Sequence, residues 1–422
     1  MTLLYSIAIH LFYLLVLRAS PFNKKARLWI SGRRKWRTKL MQWQHSGSPT
    51  LWFHAASLGE FEQGLPLIEA LKKQMPGCSL VLTFYSPSGY EIRKNYQKAD
   101  QVCYLPLDTR YNARAFLNIV KPDAAFFIKY EFWYFYLKQL HYAGIPTYLI
   151  SGIFRTKQVF FRWYGTWFRK KLMRFTHFFL QDTASSALLN TIGLHNVTVT
   201  GDTRFDRVSA TAALAKNIEI AESFSGNSFC IVAGSTWPAD EELLTRFINE
   251  SGTHIKFIIA PHEIDNAHIN RLTALIKKSH RLYSMSNVNN VGDQQVLIID
   301  NIGMLSSLYR YGQLAYIGGG FGKGIHNILE AAVFGIPVIF GPNYHKFREA
   351  GKMIESHGAF SVNSYGGLKE IANLLINNAE VHRHSSMQAK DYIKNNTGAT
   401  NAIAQQVLKT LQLQTNKQSL VL

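Results

Sequence analysis

No aspartate or glutamate precedes Glu60 in this chain of 422 residues, although Arg18, Lys24, Lys25, Arg27, Arg33, Arg34, Lys35, Arg37 and Lys39 all fall in that stretch. A segment so one-sided in charge cannot balance itself by internal ion pairs and calls for an anionic partner. Cysteine is scarce too: Cys78, Cys103 and Cys230 are odd in number and far apart, which excludes a disulfide framework and a cysteine metal cluster and points to a reducing compartment. Neither the Walker spacing nor the dinucleotide glycine fingerprint is met, and no His-Glu-x-x-His or comparable metal-ligand spacing occurs, so the expected metal complement is none. Low-complexity tracts and fixed-period repeats are also missing, which argues against a solenoid.

What is present is apolar residue in quantity: 47% of the chain is hydrophobic, enough at this length for two cores rather than one. The formal charge of +19 narrows the partners to nucleic acid, an anionic lipid surface or a phosphorylated substrate. Residues 3–17 are uncharged and almost wholly apolar, and the basic run follows them directly. About 20 residues are needed to span a bilayer comfortably, so this segment suits a tilted or interfacial anchor, with residues 1–22 as the anchoring helix. A signal peptide fits less well, because positive charge follows the apolar stretch instead of preceding it. A buried first helix with a solvated basic face is the plainer alternative. Charge on the C-terminal flank places that flank in the cytoplasm, against anionic lipid.

A second basic stretch, residues 154–175, interleaves Arg155, Lys157, Arg162, Arg169, Lys170, Lys171 and Arg174 with Phe160, Phe161, Trp163, Tyr164, Trp167 and Phe168. Such a mixture suits a headgroup boundary, or single-stranded nucleic acid. No nucleic-acid motif accompanies it, so the expected partner is lipid and not nucleic acid.

From about Thr50, short β-branched or aromatic runs alternate with amphipathic helix-length stretches. Residues 51–54, 79–84, 102–105, 124–128, 147–150 and 197–200 read as strands, and the pattern restarts with 229–233, 256–259, 296–298, 314–317 and 337–340. Alternation of this kind predicts βαβ units and parallel sheets covered on both faces. The polar, alanine-rich stretch 206–227 separates the two sets, which gives domains 23–212 and 213–422. Doubly wound domains bind ligands at the carboxyl ends of their strands, so residues just after strands are the candidates.

In the C-terminal half, 314–317 is followed by Gly318, Gly319, Gly320, Gly322 and Gly324, then His326, Asn327 and Glu330 opening a helix before Gly335. Glycines let backbone amides approach a ligand, a helix start attracts phosphate, and an acid in the first turn can accept from ribose hydroxyls. In the N-terminal half, 51–54 leads to Glu60 at a helix entry, where a carboxylate can take a proton from an acceptor hydroxyl or simply favour the helix dipole.

Taken in order, Ala55-Ala56-Ser57-Leu58-Gly59-Glu60, Tyr130-Glu131-Phe132-Trp133, Thr200-Gly201-Asp202-Thr203-Arg204-Phe205-Asp206, Gly234-Ser235-Thr236-Trp237 with Glu241 and Glu242, Ile325-His326-Asn327-Ile328-Leu329-Glu330 and Gly341-Pro342-Asn343 resemble the 3-deoxy-D-manno-octulosonic acid (Kdo) transferases of lipopolysaccharide assembly. The resemblance implies a GT-B fold of two Rossmann-like domains facing a cleft, the first binding acceptor and the second the nucleotide sugar. It also implies inverting, metal-independent transfer of Kdo from CMP-Kdo, a co-substrate, to a lipid A precursor at the cytoplasmic face of the inner membrane. By the same resemblance Glu60 is the proton acceptor, Glu131 and Arg204 steady charge in the transition state, and CMP is held by Pro261 and His262, by Ile302, Gly303 and Met304, and by Asn327, Ile328, Leu329 and Glu330. The chain departs from the family where Pro261-His262-Glu263 replaces Pro-Arg-His, Arg204 replaces lysine, Ile325 replaces a second glycine and Tyr134 replaces proline. Other readings are a different lipid-directed GT-B glycosyltransferase and a non-catalytic binder of acidic lipid that has kept the fold.

Overall fold

The structure, a computed structural model, describes residues 1–43 and 49–419, with side chains to residue 413. It forms two compact units, one of Met1–Arg207 with Thr397–Leu422, the other of Val208–Asn396.

The first unit carries a seven-stranded parallel sheet of β1 (Thr50–Ala55), β2 (Ser79–Phe84), β3 (Gln101–Tyr104), β4 (Ala124–Ile128), β5 (Thr147–Gly152), β6 (His177–Leu180) and β7 (Val197–Val199) in the order β3-β2-β1-β4-β5-β6-β7. The strands β1, β2, β4 and β5 are buried along their whole length, as a sheet covered on both faces requires. One face packs Trp52, Phe127, Phe116 and Tyr136; the other packs Phe53, Phe126, Leu82 and Phe61.

The second unit repeats the plan with β8 (Phe229–Thr236), β9 (Ile255–Pro261), β10 (His280–Leu282), β11 (Val296–Ile298), β12 (Leu314–Ile317), β13 (Val338–Phe340) and β14 (Ala359–Ser361), ordered β10-β11-β9-β8-β12-β13-β14 and again parallel. Three strands, β6, β10 and β14, lie outside the runs that the sequence pattern singled out.

The helices that matter below are α1 (Thr2–Ala19), α2 (Lys24–Arg33), α3 (Leu58–Gln74), α4 (Arg110–Val120), α5 (Thr203–Ala213), α6 (Pro238–Glu250), α7 (Leu329–Ala332) and α8 (Ala399–Ser419). The units divide inside α5, a few residues before the expected limit at 212. A larger difference concerns the C-terminus, expected to belong to the second domain. There, α8 buries Ile403, Ala404, Val407 and Leu411 in the cluster built by Phe61, Leu65 and Ile68 of α3, so it completes the first unit. Its start is fixed by Asp206, whose carboxylate accepts from Gly398 N at 2.6 Å, Thr400 N at 2.7 Å and Thr400 Oγ1 at 2.6 Å. An acid capping exposed helix amides in this way stabilises a start by roughly 1 kcal/mol.

The basic-aromatic segment 154–175 also differs from expectation. Phe154, Phe160, Leu172 and Phe175 are core residues, and Lys171 is 7% exposed, its ammonium 4.6 Å from the ring centre of Tyr5 and its pKa pushed down to about 8 by burial. Trp163 and Tyr164 are the aromatic side chains that remain open to solvent.

Candidate active site

In a doubly wound sheet, the crevice forms where strand order reverses. In the first unit that point lies between β1 and β4, and Glu60 follows β1 while Glu131 follows β4. Ser57 caps the approach to α3 and its hydroxyl donates to Glu60 in the first turn. Lys129, at φ 69°, turns the chain sharply as it leaves β4, and Ser151, at φ 50°, does the same at the end of β5. Non-glycine residues seldom adopt this left-handed region, and strain of this kind is tolerated where it aims a functional group.

Glu131 is held by residues that its own motif does not predict. Trp133 Nε1 donates to Glu131 Oε2 at 2.6 Å, and His54 Nε2 lies 3.1 Å from the same oxygen. His54 is fully buried, with Nδ1 2.9 Å from Thr83 Oγ1, which itself accepts from Trp52 Nε1 at 2.9 Å. The proton assignment that gives the carboxylate two donors places the imidazole hydrogen on Nε2 and lets the Thr83 hydroxyl donate to Nδ1. The chain Trp52, Thr83, His54, Glu131, Trp133 is then a continuous run of donors and acceptors across β1, β2 and the loop after β4. His54 is the functional candidate that sequence reasoning missed, since at its position it reads only as a strand residue.

Arg204, in the first turn of α5, is clamped by Asp202: its Nε lies 2.8 Å and its backbone N 2.9 Å from the two carboxylate oxygens. Asp202 also accepts from Gln63 Nε2 at 3.1 Å, one turn beyond Glu60 on α3, and Thr203 Oγ1 donates to the Gln63 carbonyl at 2.5 Å. Arg204 is thereby tied to the helix that carries Glu60. Tyr130 sits in the field of Arg155, Glu60, Asp182 and Arg204, with its hydroxyl pKa raised chiefly by burial. Of the three expected catalytic residues, Glu60 and Arg204 are joined through α3, and Glu131 projects from the adjoining strand end.

In the second unit the order reverses between β8 and β12. Gly318 follows β12, and a Cβ there would lie 2.2 Å from the Ser235 carbonyl and 2.6 Å from Thr236 Cα; at Gly320 it would lie 2.5 Å from Gly341 N. These glycines let the end of β8 and the loops after β12 and β13 touch backbone to backbone, a role beyond the ligand approach expected of them. Asp240 of α6, 1% exposed, fastens the same turn by accepting from Gly319 N at 2.8 Å, Tyr316 Oη at 2.8 Å and Trp237 N at 3.0 Å. Burial raises the Asp240 pKa against the pull of those donors. Glu241, fully buried beside it, accepts from Thr236 Oγ1 at 2.9 Å and His268 Nε2 at 2.8 Å.

The expected CMP residues all leave the carboxyl edge of this sheet. Pro261 ends β9 and is followed by His262, whose ring stacks on Trp237 at 4.5 Å and approaches His326 at 4.5 Å. Trp237 Nε1 donates to His326 Nε2 at 3.1 Å, and the His326 pKa is lowered by burial and then by His262. Asn327 Oδ1 accepts from Leu329 N at 3.2 Å, while its Nδ2 donates to Glu330 Oε1 at 2.9 Å. The helix here, α7, is only four residues long, shorter than the glycine-to-Gly335 spacing predicted, and Ile328 and Leu329 are buried as its packing face. Ile302, 86% exposed, Gly303 at φ 97° and Met304 form the turn after β11, the strand beside β9 and two from β8.

Residues 33–207 match the family described as 3-deoxy-D-manno-octulosonic-acid transferase (kdotransferase). The 3-deoxy-D-manno-octulosonic acid transferase of Aquifex aeolicus is 29% identical over 318 residues, covering 73% of this chain and 80% of that protein. The enzyme of the same name from Haemophilus influenzae is 24% identical over 83% of this chain and 84% of its own. In fold, the chain is similar to UDP-GlcNAc 2-epimerase from Neisseria meningitidis bound to UDP-GlcNAc, at 16% identity and a TM-score of 0.61, covering 85% of this chain and 100% of that one. The twin parallel sheets have GT-B architecture, and with the ordered run of motifs these likenesses show a glycosyltransferase similar to the Kdo transferases over most of its length.

Proposed function

We propose that this protein transfers Kdo from CMP-Kdo to a hydroxyl of a lipid A precursor during lipopolysaccharide core biosynthesis, at the cytoplasmic face of the inner membrane. The observation that carries the reading is the pair of carboxylates, Glu60 and Glu131, set at the two strand ends that flank the reversal of order in the first sheet. Glu60 takes the proton of the acceptor hydroxyl as its oxygen bonds to the anomeric carbon of Kdo. The bond from that carbon to the phosphate oxygen breaks, CMP leaves as the anion, and configuration inverts. Arg204 and Glu131, each fixed by neighbours, present charge that need not reorganise during the step.

CMP is held by Pro261 and His262, by the turn Ile302, Gly303 and Met304, and by Asn327 through Glu330. His262 stands where the family has arginine; a neutral imidazole offers one hydrogen bond in place of a bidentate cation. Its packing between Trp237 and His326 supports a fixed, directed donor. The transfer requires no metal. The exposed apolar surface of α1 and the basic run after it support a membrane-surface location.

The test is direct: purified protein, CMP-Kdo and a lipid A precursor are incubated with a chelator, and the lipid is weighed by mass spectrometry. A mass gain of one or more Kdo residues is expected, and an unchanged lipid refutes the reading. Glu60→Gln should keep CMP-sugar binding and lower turnover about 10² to 10⁴-fold, the usual scale for losing a general base. A variant as fast as the wild type removes Glu60 from the chemistry.

A further inference from the structure

Much of the apolar surface of α1 faces outward. Its packed side, which includes Ile9 and Val16, is fastened by polar and aromatic contacts: Tyr5 Oη donates to buried Asp108 at 2.5 Å, Thr2 Oγ1 lies 3.1 Å from Tyr134 Oη, and Tyr13 meets Trp29 at 6.3 Å. Its outer side is apolar, with Leu3, Leu4, Leu11, Leu14 and Leu15 all more than half exposed. A helix fastened to the body by one side and greasy on the other lies along an interface.

Beside it, one step round the helix from those leucines, a cavity of ≈ 670 Å³ opens between α1, α2 and the start of α4, lined among others by His10, Arg33, Arg34, Arg110 and Tyr111. Among the described residues no carboxylate lines it. Arg33 forms its floor, donating to the carbonyls of Tyr85 at 2.7 Å, Leu105 at 2.9 Å and Trp29 at 3.1 Å while its guanidinium lies 3.9 Å from the Trp29 ring centre. Arg37 Nη1 steadies the wall by donating to Tyr111 Oη at 2.7 Å. Arg34 and Arg110 are exposed, and their guanidinium groups take no hydrogen-bond or ion-pair partner among the described residues. Arg110 is moreover the first residue of α4, whose first turn holds no acid. A cation at the positive end of a helix dipole, facing other cations, is unfavourable unless an anion sits between them.

We propose that this cavity binds the phosphate headgroup of an anionic membrane phospholipid, whose acyl chains run along the exposed leucines of α1. Arg34 and Arg110 clamp the phosphate, the amides opening α4 add donors, and Arg33 supplies fixed background charge. A soluble nucleotide or a nucleic acid would use the arginines but not the apolar flank. The site stands apart from the transfer reaction and does not depend on its being correct.

The test is sedimentation of the full chain with vesicles of phosphatidylcholine alone or with one lipid in five replaced by phosphatidylglycerol. No sugar donor is present, so failure here says nothing about Kdo transfer. Two double variants remove the same charge: Arg34→Ala with Arg110→Ala in the cavity, and Lys25→Ala with Lys39→Ala outside it. Circular dichroism confirms that both are folded. The cavity pair should lose about tenfold more of the phosphatidylglycerol-dependent binding than the lysine pair. Equal losses would overturn the proposal in favour of diffuse attraction. So would a wild type that ignores phosphatidylglycerol and responds only to vesicles carrying a phosphorylated glycolipid acceptor.

Discussion

The two sheets share a plan but build their switch points from different materials. In the first unit the reversal between β1 and β4 is furnished with side chains: Glu60, Glu131, His54 and Trp133, with Arg204 reached through Asp202 and Gln63. In the second, the reversal between β8 and β12 is furnished with backbone, where Gly318, Gly320 and Gly341 allow two loops and the end of β8 to touch and Asp240 pins the turn from behind. A reaction centre that moves protons needs groups of set charge and orientation, which buried side-chain networks supply. A pocket for a nucleotide phosphate needs amides at close range, which glycines supply. With the proposed roles of the two units, one topology is specialised toward chemistry or toward binding by which atoms are brought to the same strand ends.

If side chains govern the first unit, breaking their network should be the costliest change. His54→Ala removes one of two donors to Glu131 and leaves a void in a fully buried position, while Thr83 keeps Trp52 Nε1 and the Phe53 carbonyl as partners. A loss of about 2–4 kcal/mol is expected from cavity and unsatisfied-group terms together. Because His54 acts through Glu131, turnover should fall on the order of 10-fold or more while the KM for CMP-Kdo stays near the wild-type value. His54→Gln, which retains a donor, should recover part of the rate. Equal changes in turnover and KM, with no recovery in the glutamine variant, would reduce His54 to a packing residue.

If backbone governs the second unit, a single methyl should be enough to disturb it. Gly318→Ala places a Cβ 2.2 Å from the Ser235 carbonyl, an overlap with backbone that only loop movement can relieve. The expected loss is about 1–3 kcal/mol, accompanied by a raised KM for CMP-Kdo. Gly303→Ala is the matched control. It sits at φ 97° with nothing within 4 Å of the added carbon, so only conformational strain of about 1–2 kcal/mol is expected. Thermal unfolding of both variants ranks the two effects, and a reversed ranking would mean that close loop contact is not what Gly318 provides.

The same contrast governs how much could be read in advance. Buried β-branched and aromatic runs such as 79–84 and 124–128 announce central strands, and the carboxylates and the glycine run are visible as motifs. β6 escaped because His177-Phe178-Phe179-Leu180 follows a basic-aromatic stretch whose charges suggest surface, whereas Phe154, Phe160 and Phe175 from that stretch are core. β10 and β14 are three-residue edge strands with little period to detect. The pattern Ile403, Ala404, Val407, Leu411 marks an amphipathic helix but not the sheet it covers; that is decided by the contact with α3 and the Asp206 cap. His54 and Asp202 are legible only in three dimensions, because their value lies in partners 77 and 139 residues away in sequence.

The smallest expected effect separates the units by pH. His326 in the second unit has a lowered pKa because burial opposes its charge and His262 lies against it, whereas His177 in the first is lowered by burial alone. The geometry agrees for His326, since a ring that accepts at Nε2 from Trp237 must be neutral there. A histidine held below its unfolded value of 6.5 binds fewer protons folded than unfolded. Its contribution is therefore complete above that value and is lost as pH falls from it through the lower folded pKa. His326→Gln keeps an acceptor for Trp237 and cannot titrate, so its unfolding midpoint should vary less between neutral pH and about pH 5 than that of the wild type. His177→Gln should flatten the profile less, because no second imidazole opposes protonation there. Identical slopes in wild type and His326→Gln would mean that His326 takes up its proton as readily in the folded chain as in the unfolded one, so that neither burial nor the neighbouring imidazole sets its charge.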